Sequence, residues 1–126
     1  MVVLPEGQLR RKEEQPLRRF GQGVWQILKD RPDTPVVAVW IEGAWGSYTS
    51  YRGGPPTKNK KPDRRRPLRV GVAAPITVPA GTLANGLATR MFLMNEVAAA
   101  RRHLGLPDVP RYELPAKDDE PPQDHA

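Results

Sequence analysis

Apolar residues fall in blocks along the chain, and the spacing within each block points to a different element. Val2-Val3-Leu4 is a short apolar run stopped by Pro5 and Gly7, the pattern of a buried strand's end entering a turn. Residues 8–19 are polar and basic and read as a loop. From Gly21 to Asp30, Val24, Ile27 and Leu28 recur at helical spacing and the pattern halts before Pro32, which predicts a short amphipathic helix. Pro35 to Ile41 is nearly all apolar and β-branched. That predicts a central strand of an α/β sheet, covered on both faces.

Residues 42–67 form a long excursion rich in glycine and proline, too long for a structural turn and expected to be functional or flexible. Leu68 to Ala73 alternates as a further strand, ended by Pro75. The last element is a helix over residues 83–104, with a stripe at Leu87, Met91, Met94 and Ala98, Gly105 as its cap and Pro107 as its stop. No internal repeat is present.

Composition narrows what these elements can build. At 126 residues, with 38% hydrophobic and 6% aromatic residues, the chain has room for one small domain with a thin core. Its 15 prolines and 11 glycines imply much irregular backbone. The absence of cysteine excludes disulfides, thiolate nucleophiles and thiolate metal sites, and fits a reducing compartment. The first residues carry neither the pattern of a signal peptide nor that of an anchor, so the chain reads as soluble or peripheral.

Charge adds a candidate surface. Within the net +6, Lys58, Lys60, Lys61, Arg64, Arg65, Arg66 and Arg69 cluster against Asp63 alone. Such a cluster meets lipid phosphates or nucleic acid, or keeps a loop solvated. Tyr48 and Tyr51 precede the cations rather than interleave with them, which disfavours nucleic acid and favours an anionic membrane surface. From Glu113 the chain turns acidic and Pro-rich. A disordered tail is expected over residues 107–126.

The order of the blocks resembles the second half of the lysophospholipid acyltransferase family, the glycerol-phosphate acyltransferases included. Leu4-Pro5-Glu6-Gly7 is similar to the family's Phe-Pro-Glu-Gly block, with Leu4 for Phe and Gln8-Leu9 where Thr-Arg is usual. Phe20-Gly21-Gln22-Gly23 is similar to the Phe-x-x-Gly that opens the next helix. Pro35-Val36-Val37-Ala38-Val39 matches the strand that follows, with Ala38 where Pro is usual. Ile41-Glu42-Gly43-Ala44-Trp45-Gly46-Ser47, with Ser50, resembles the Gly-x-Trp-Gly-Ser segment of acyltransferase domains fused to acyl-carrier-protein ligases. It is the most specific of the three. Ala74-Pro75-Ile76 ends the following strand where the family often has Gly-x-Pro. The resemblance covers roughly residues 2–79 and fits the last helix more weakly.

The resemblance implies a partial α/β fold over residues 1–106, with a mostly parallel sheet flanked by helices. It also implies acyl transfer from acyl-CoA or acyl-carrier protein to a lysophospholipid or acylglycerol phosphate. Glu6 and Gly7 would hold the acceptor, Arg10 and Arg11 would reach its phosphate, and the protein would sit peripherally on the cytoplasmic face of a membrane. No metal or organic cofactor is implied.

Acyl transfer to an alcohol needs a base, a group that orients the base, and donors for the developing oxyanion. The family supplies the first two from a His-x-x-x-x-Asp block upstream of the Pro-Glu-Gly turn. The base is therefore expected before Met1, and the lone chain is expected to be inactive. His103 and Asp108 reproduce the spacing downstream, but in the wrong order and across Gly105 and Pro107 at a helix end, so they are set aside. His125 falls in the tail. The alternative is a non-catalytic basic protein that binds anionic membrane or nucleic acid through residues 58–69. A third reading is a remnant without function.

Overall fold

A computed structural model describes residues 1–7, 10–63 and 65–114. In chain order the elements are helix α1 (Gly23–Asp30), strands β1 (Val39–Glu42) and β2 (Arg69–Val72), helices α2 (Ala80–Leu83) and α3 (Gly86–Ala99), and a 3-10 segment, Ala100–Leu104. This is a small mixed α/β fold.

The two strands pair antiparallel, with Val39 opposite Val72, Trp40 opposite Gly71, Ile41 opposite Val70 and Glu42 opposite Arg69. The ribbon continues through the Ala73 N–H bonded to the Ala38 carbonyl at 2.9 Å and a bridge between Val36 and Ile76. The expectation of a mostly parallel sheet is thereby corrected. Parallel neighbours need a crossover that carries the chain back along the sheet, usually a helix. Residues 43–68 contain no helix among those described and simply return the chain beside itself.

Coverage of both sheet faces is corrected too. Ala38, Trp40 and Gly71 are buried on one face, whereas Val39, Ile41, Val70 and Val72 are between 38% and 55% exposed on the other. The apolar run is thus a half-buried strand with hydrophobic residues on both sides. Gly71 is required on the inner face. A Cβ there would approach the Ala100 carbonyl oxygen to 2.5 Å and Leu104 Cγ to 3.3 Å, so glycine lets the 3-10 segment rest on the ribbon. The expected strand at Val2–Leu4 does not form. Met1, Val2 and Leu4 are exposed, and no strand partners them among the described residues.

The helices follow the sequence signals more closely. The Asn85 side chain caps α3 by accepting from the Ala88 N–H at 3.0 Å, and Gly105 closes the 3-10 segment in the left-handed conformation at φ 70°. The buried positions of α3 are Thr89, Arg90, Leu93, Met94 and Ala98, while Leu87 and Met91 of the expected stripe are only partly buried. The helix can turn two polar residues inward because both are bonded there. Thr89 Oγ1 donates to the Thr82 carbonyl at 2.9 Å, and Arg90 Nη1 donates to the Phe20 carbonyl at 3.2 Å. Around them the core gathers Leu17, Phe20, Leu28, Trp40, Val78, Leu83, Leu93, Met94 and Ala100. Trp25 joins α1 to α2 through its Nε1 bond to the Leu83 carbonyl, 2.9 Å.

Residues 107–114, the first part of the segment expected to be disordered, lie against the helical side. Asn95 exchanges two 2.8 Å bonds with the Tyr112 backbone, mimicking a strand partner. The remainder of that segment, with His125, lies outside the described residues.

Candidate functional site

The turn at Leu4–Gly7 is tied to the start of the core. Gly7 N–H donates to the Leu4 carbonyl at 3.2 Å, and Gly7 adopts φ 68°, which a glycine reaches without strain. Gly21 N–H donates to the Pro5 carbonyl at 2.9 Å, and Arg18 N–H donates to Glu6 Oε2 at 2.8 Å. The Leu4–Gly7 and Phe20–Gly23 blocks are therefore brought together. Among the described residues, a Cβ at Gly7 would meet nothing within 4 Å.

Glu6 is half-buried. Desolvation pushes its carboxyl above the ordinary carboxylate value, opposed by the Arg18 N–H bond and by the charges of Arg18 and Arg10. Tyr112 faces the same region. Its hydroxyl is pushed up mainly by burial, with the Arg101 charge lowering it and the Glu6 charge raising it. Arg101 lies over the Trp40 ring, 4.6 Å from its centroid.

Arg10 and Arg11 lean on the long excursion. The Arg10 guanidinium sits 4.3 Å from the Trp45 ring centroid and the Arg11 guanidinium 4.7 Å from that of Tyr51. Arg10 also donates to the Lys12 and Glu13 carbonyls. Glu13 Oε2 accepts from Trp45 Nε1 at 2.9 Å and lies 3.8 Å from Arg52 Nε. Glu6, Arg10, Arg11 and the Trp45 segment thus occupy one neighbourhood, with Arg10 as the shared member.

The excursion has its own polar skeleton. Ser50 Oγ accepts from Gly46 N–H at 3.0 Å and donates to the Ser47 carbonyl at 2.9 Å, which folds the Trp45-Gly46-Ser47 segment into a tight turn. Arg66 clips this turn by donating to the carbonyls of Gly43 and Trp45 while paired with Asp63 at 3.3 Å. Gly46, at φ 94°, is the close-approach point. A Cβ there would lie 3.1 Å from Arg66 Nη2 and 3.2 Å from Arg52 Nη1. Lys60 donates to the Ser50 and Gly54 carbonyls.

Of the cations expected to meet an anionic surface, Lys60 and Arg66 are thus occupied inside the loop. Lys58, Lys61 and Arg65 are exposed, and Arg64 lies outside the described residues. Arg69 reaches the Leu104 carbonyl.

Asp108 accepts from Arg102 at 2.9 and 3.2 Å, which holds its carboxyl below the ordinary range. His103 is exposed on the 3-10 segment, so the downstream match assembles an arginine pair rather than a dyad. Among the described residues no group of three His, Cys, Asp or Glu is placed to hold a metal ion, and no helix is long and apolar enough to cross a membrane.

Arg18 and Tyr112 are the contributors that sequence reading missed. Arg18 acts through its backbone N–H, which leaves no residue signature. The available hint for Tyr112 was Asn95, whose side-chain amide can both donate to and accept from a passing backbone.

Searches of protein-family models, curated proteins and solved structures returned no match to this chain.

Proposed function

We propose that the chain forms the acceptor-binding part of a glycerolipid acyltransferase, working at the cytoplasmic face of a membrane. The observation that supports this reading is the convergence of the Pro5-Glu6-Gly7 turn with Arg10, Arg11 and the Trp45-Gly46-Ser47 turn in one neighbourhood. The first and last of these segments also carry the resemblance.

In this reading Glu6 accepts hydrogen bonds from the hydroxyls of a lysophospholipid or acylglycerol phosphate, and the backbone at Gly7 borders the glycerol. The guanidiniums of Arg10 and Arg11 bind its phosphate, held ready by the aromatic rings beneath them. The acyl group comes from acyl-CoA or acyl-carrier protein. The base that removes the acceptor's proton comes from polypeptide other than residues 1–126, so the lone chain binds acceptor without turning it over.

The test is titration of the chain with sn-glycerol 3-phosphate and with a short-chain lysophosphatidic acid, followed by backbone NMR. Shifts confined to residues 5–21 and 44–52, weakened about tenfold or more by Arg10→Ala with Arg11→Ala, are the expected outcome. Uniform, salt-dissolved binding that also accepts oligonucleotides would replace this reading with that of a general basic binding protein.

A further inference from the structure

We propose that the outer face of the β1–β2 ribbon docks on an anionic lipid surface, which rests on the reading that this protein works at a membrane. The outward positions of the two strands and their extensions are Val37, Val39, Ile41 and Gly43 on one side, and Leu68, Val70, Val72 and Ala74 on the other. None is polar. A ribbon with one face on a core normally shows water an alternating polar set, and a contiguous apolar face in its place marks a docking surface.

Val39 stands directly opposite Val72, and Ile41 opposite Val70, so the side chains form one patch rather than scattered exposures. The opposite face is already occupied, with Gly71 against Ala100 and Trp40 beneath Arg101.

Charge selects the occupant. The ribbon ends at Gly43 and Leu68, where the stems of the basic excursion touch, since a Cβ on Gly43 would meet the Pro67 carbonyl and Leu68. Lys58, Lys61 and Arg65 of that excursion are exposed and make no side-chain hydrogen bond or ion pair among the described residues. The one carboxylate of residues 43–68, Asp63, is engaged by the Tyr48 N–H and Arg66. A second copy of the chain would offer these cations nothing of opposite sign from the same region, whereas lipid phosphates would. An apolar face in the interface, with lysine and arginine beside it on the headgroups, is the arrangement of a protein that lies on a bilayer.

The test is co-sedimentation of the full chain with vesicles of phosphatidylcholine alone and of phosphatidylcholine with phosphatidylglycerol. Two variants are compared: Val39→Thr/Ile41→Thr/Val70→Thr/Val72→Thr, which keeps β-branched strand residues, and Lys58→Glu/Lys61→Glu/Arg65→Glu. Ile41→Thr alone serves if the fourfold variant loses its far-UV signature. The wild type is expected on anionic vesicles only. The threonine variant should lose about tenfold or more of its partitioning, and each charge reversed should cost about fivefold or more.

If only the charge variant loses binding, the sheet-face proposal is overturned while the basic excursion still meets the membrane. A wild type that binds neither vesicle overturns both. A wild-type dimer that the threonine changes split, with no vesicle binding, assigns the face to self-association and overturns the proposal as well. Acceptor titration of the same variants keeps these outcomes separate from the binding at Glu6.

Discussion

Residues 17–42 and 69–104 are held by apolar burial, whereas residues 43–68 are held by charged and hydroxyl side chains reaching backbone carbonyls. The first region has Phe20, Leu28, Trp40, Leu93 and Met94 in one cluster. The second has Arg66, Lys60 and Ser50, each bonded to main-chain oxygens of its own loop. Burial is non-directional and tolerates some sliding, so the first region sets stability. Directional bonds at partly exposed sites contribute less energy but fix the positions of Trp45 and Tyr51, against which Arg10 and Arg11 rest. Stability and site geometry are therefore separable in this molecule.

The largest test of that separation is Phe20→Ala. It removes a fully packed ring from the core and should cost about 3–5 kcal/mol, enough to unfold a domain this small, as read by urea denaturation. Gly71→Ala comes next. The new methyl collides with the Ala100 carbonyl and Leu104, so the 3-10 segment must shift at a cost of about 1–3 kcal/mol. A stability loss within error of zero would show that the helical layer does not rest on the ribbon.

Arg66→Lys should sharpen the contrast. A lysine keeps the charge but cannot reach several carbonyls with a planar fork, so global stability should change by less than about 1 kcal/mol. Amide exchange at residues 44–50 should nevertheless quicken several-fold, and acceptor binding should weaken with it. Equal loss of global stability would mean the two regions fold as one unit.

Glu6→Gln probes the junction between the regions by pH. The folded-state carboxyl of Glu6 is raised, so the folded protein binds the proton more tightly than the unfolded chain. Its contribution to stability is full below the unfolded value of 4.5 and is lost as pH rises from there through the higher folded value. Glutamine still accepts from Arg18 N–H through its amide oxygen and lacks that dependence. The stability difference between variant and wild type should therefore shift in the variant's favour from pH 4 to pH 7, measured by thermal melts. A difference that moves the other way would mean that the Arg18 N–H bond, with the Arg18 and Arg10 charges, outweighs desolvation. The smallest effect is expected from Asp108→Asn, whose exposed pair with Arg102 should leave the melting temperature unchanged.

Much of the fold was legible in the sequence because local signals coincided with tertiary outcomes. Pro32 followed the end of α1, and Gly105 closed the last helix where its freedom at positive φ was needed. The Val2–Leu4 strand was misread because an apolar triplet next to Pro5 looks alike whether or not a partner strand lies beside it. The stripe of the last helix was misplaced because Thr89 and Arg90 look solvent-seeking until their bonds to Thr82, Asn85 and Phe20 are seen. In the candidate site, Glu6 and Gly7 stood out by resemblance, and Arg10 and Arg11 by proximity in the chain. Their aromatic supports come from a loop more than thirty residues away.

The sequence by itself determined the punctuation of this protein, its basic excursion and the apolar content of its strands, since backbone restriction and side-chain polarity act locally. Strand direction, the face left bare, and the division of the basic residues into loop pins and free cations were decided by the tertiary structure. Each depends on which distant backbone oxygen or apolar surface comes within reach. That is a property of the packed chain rather than of any window along it.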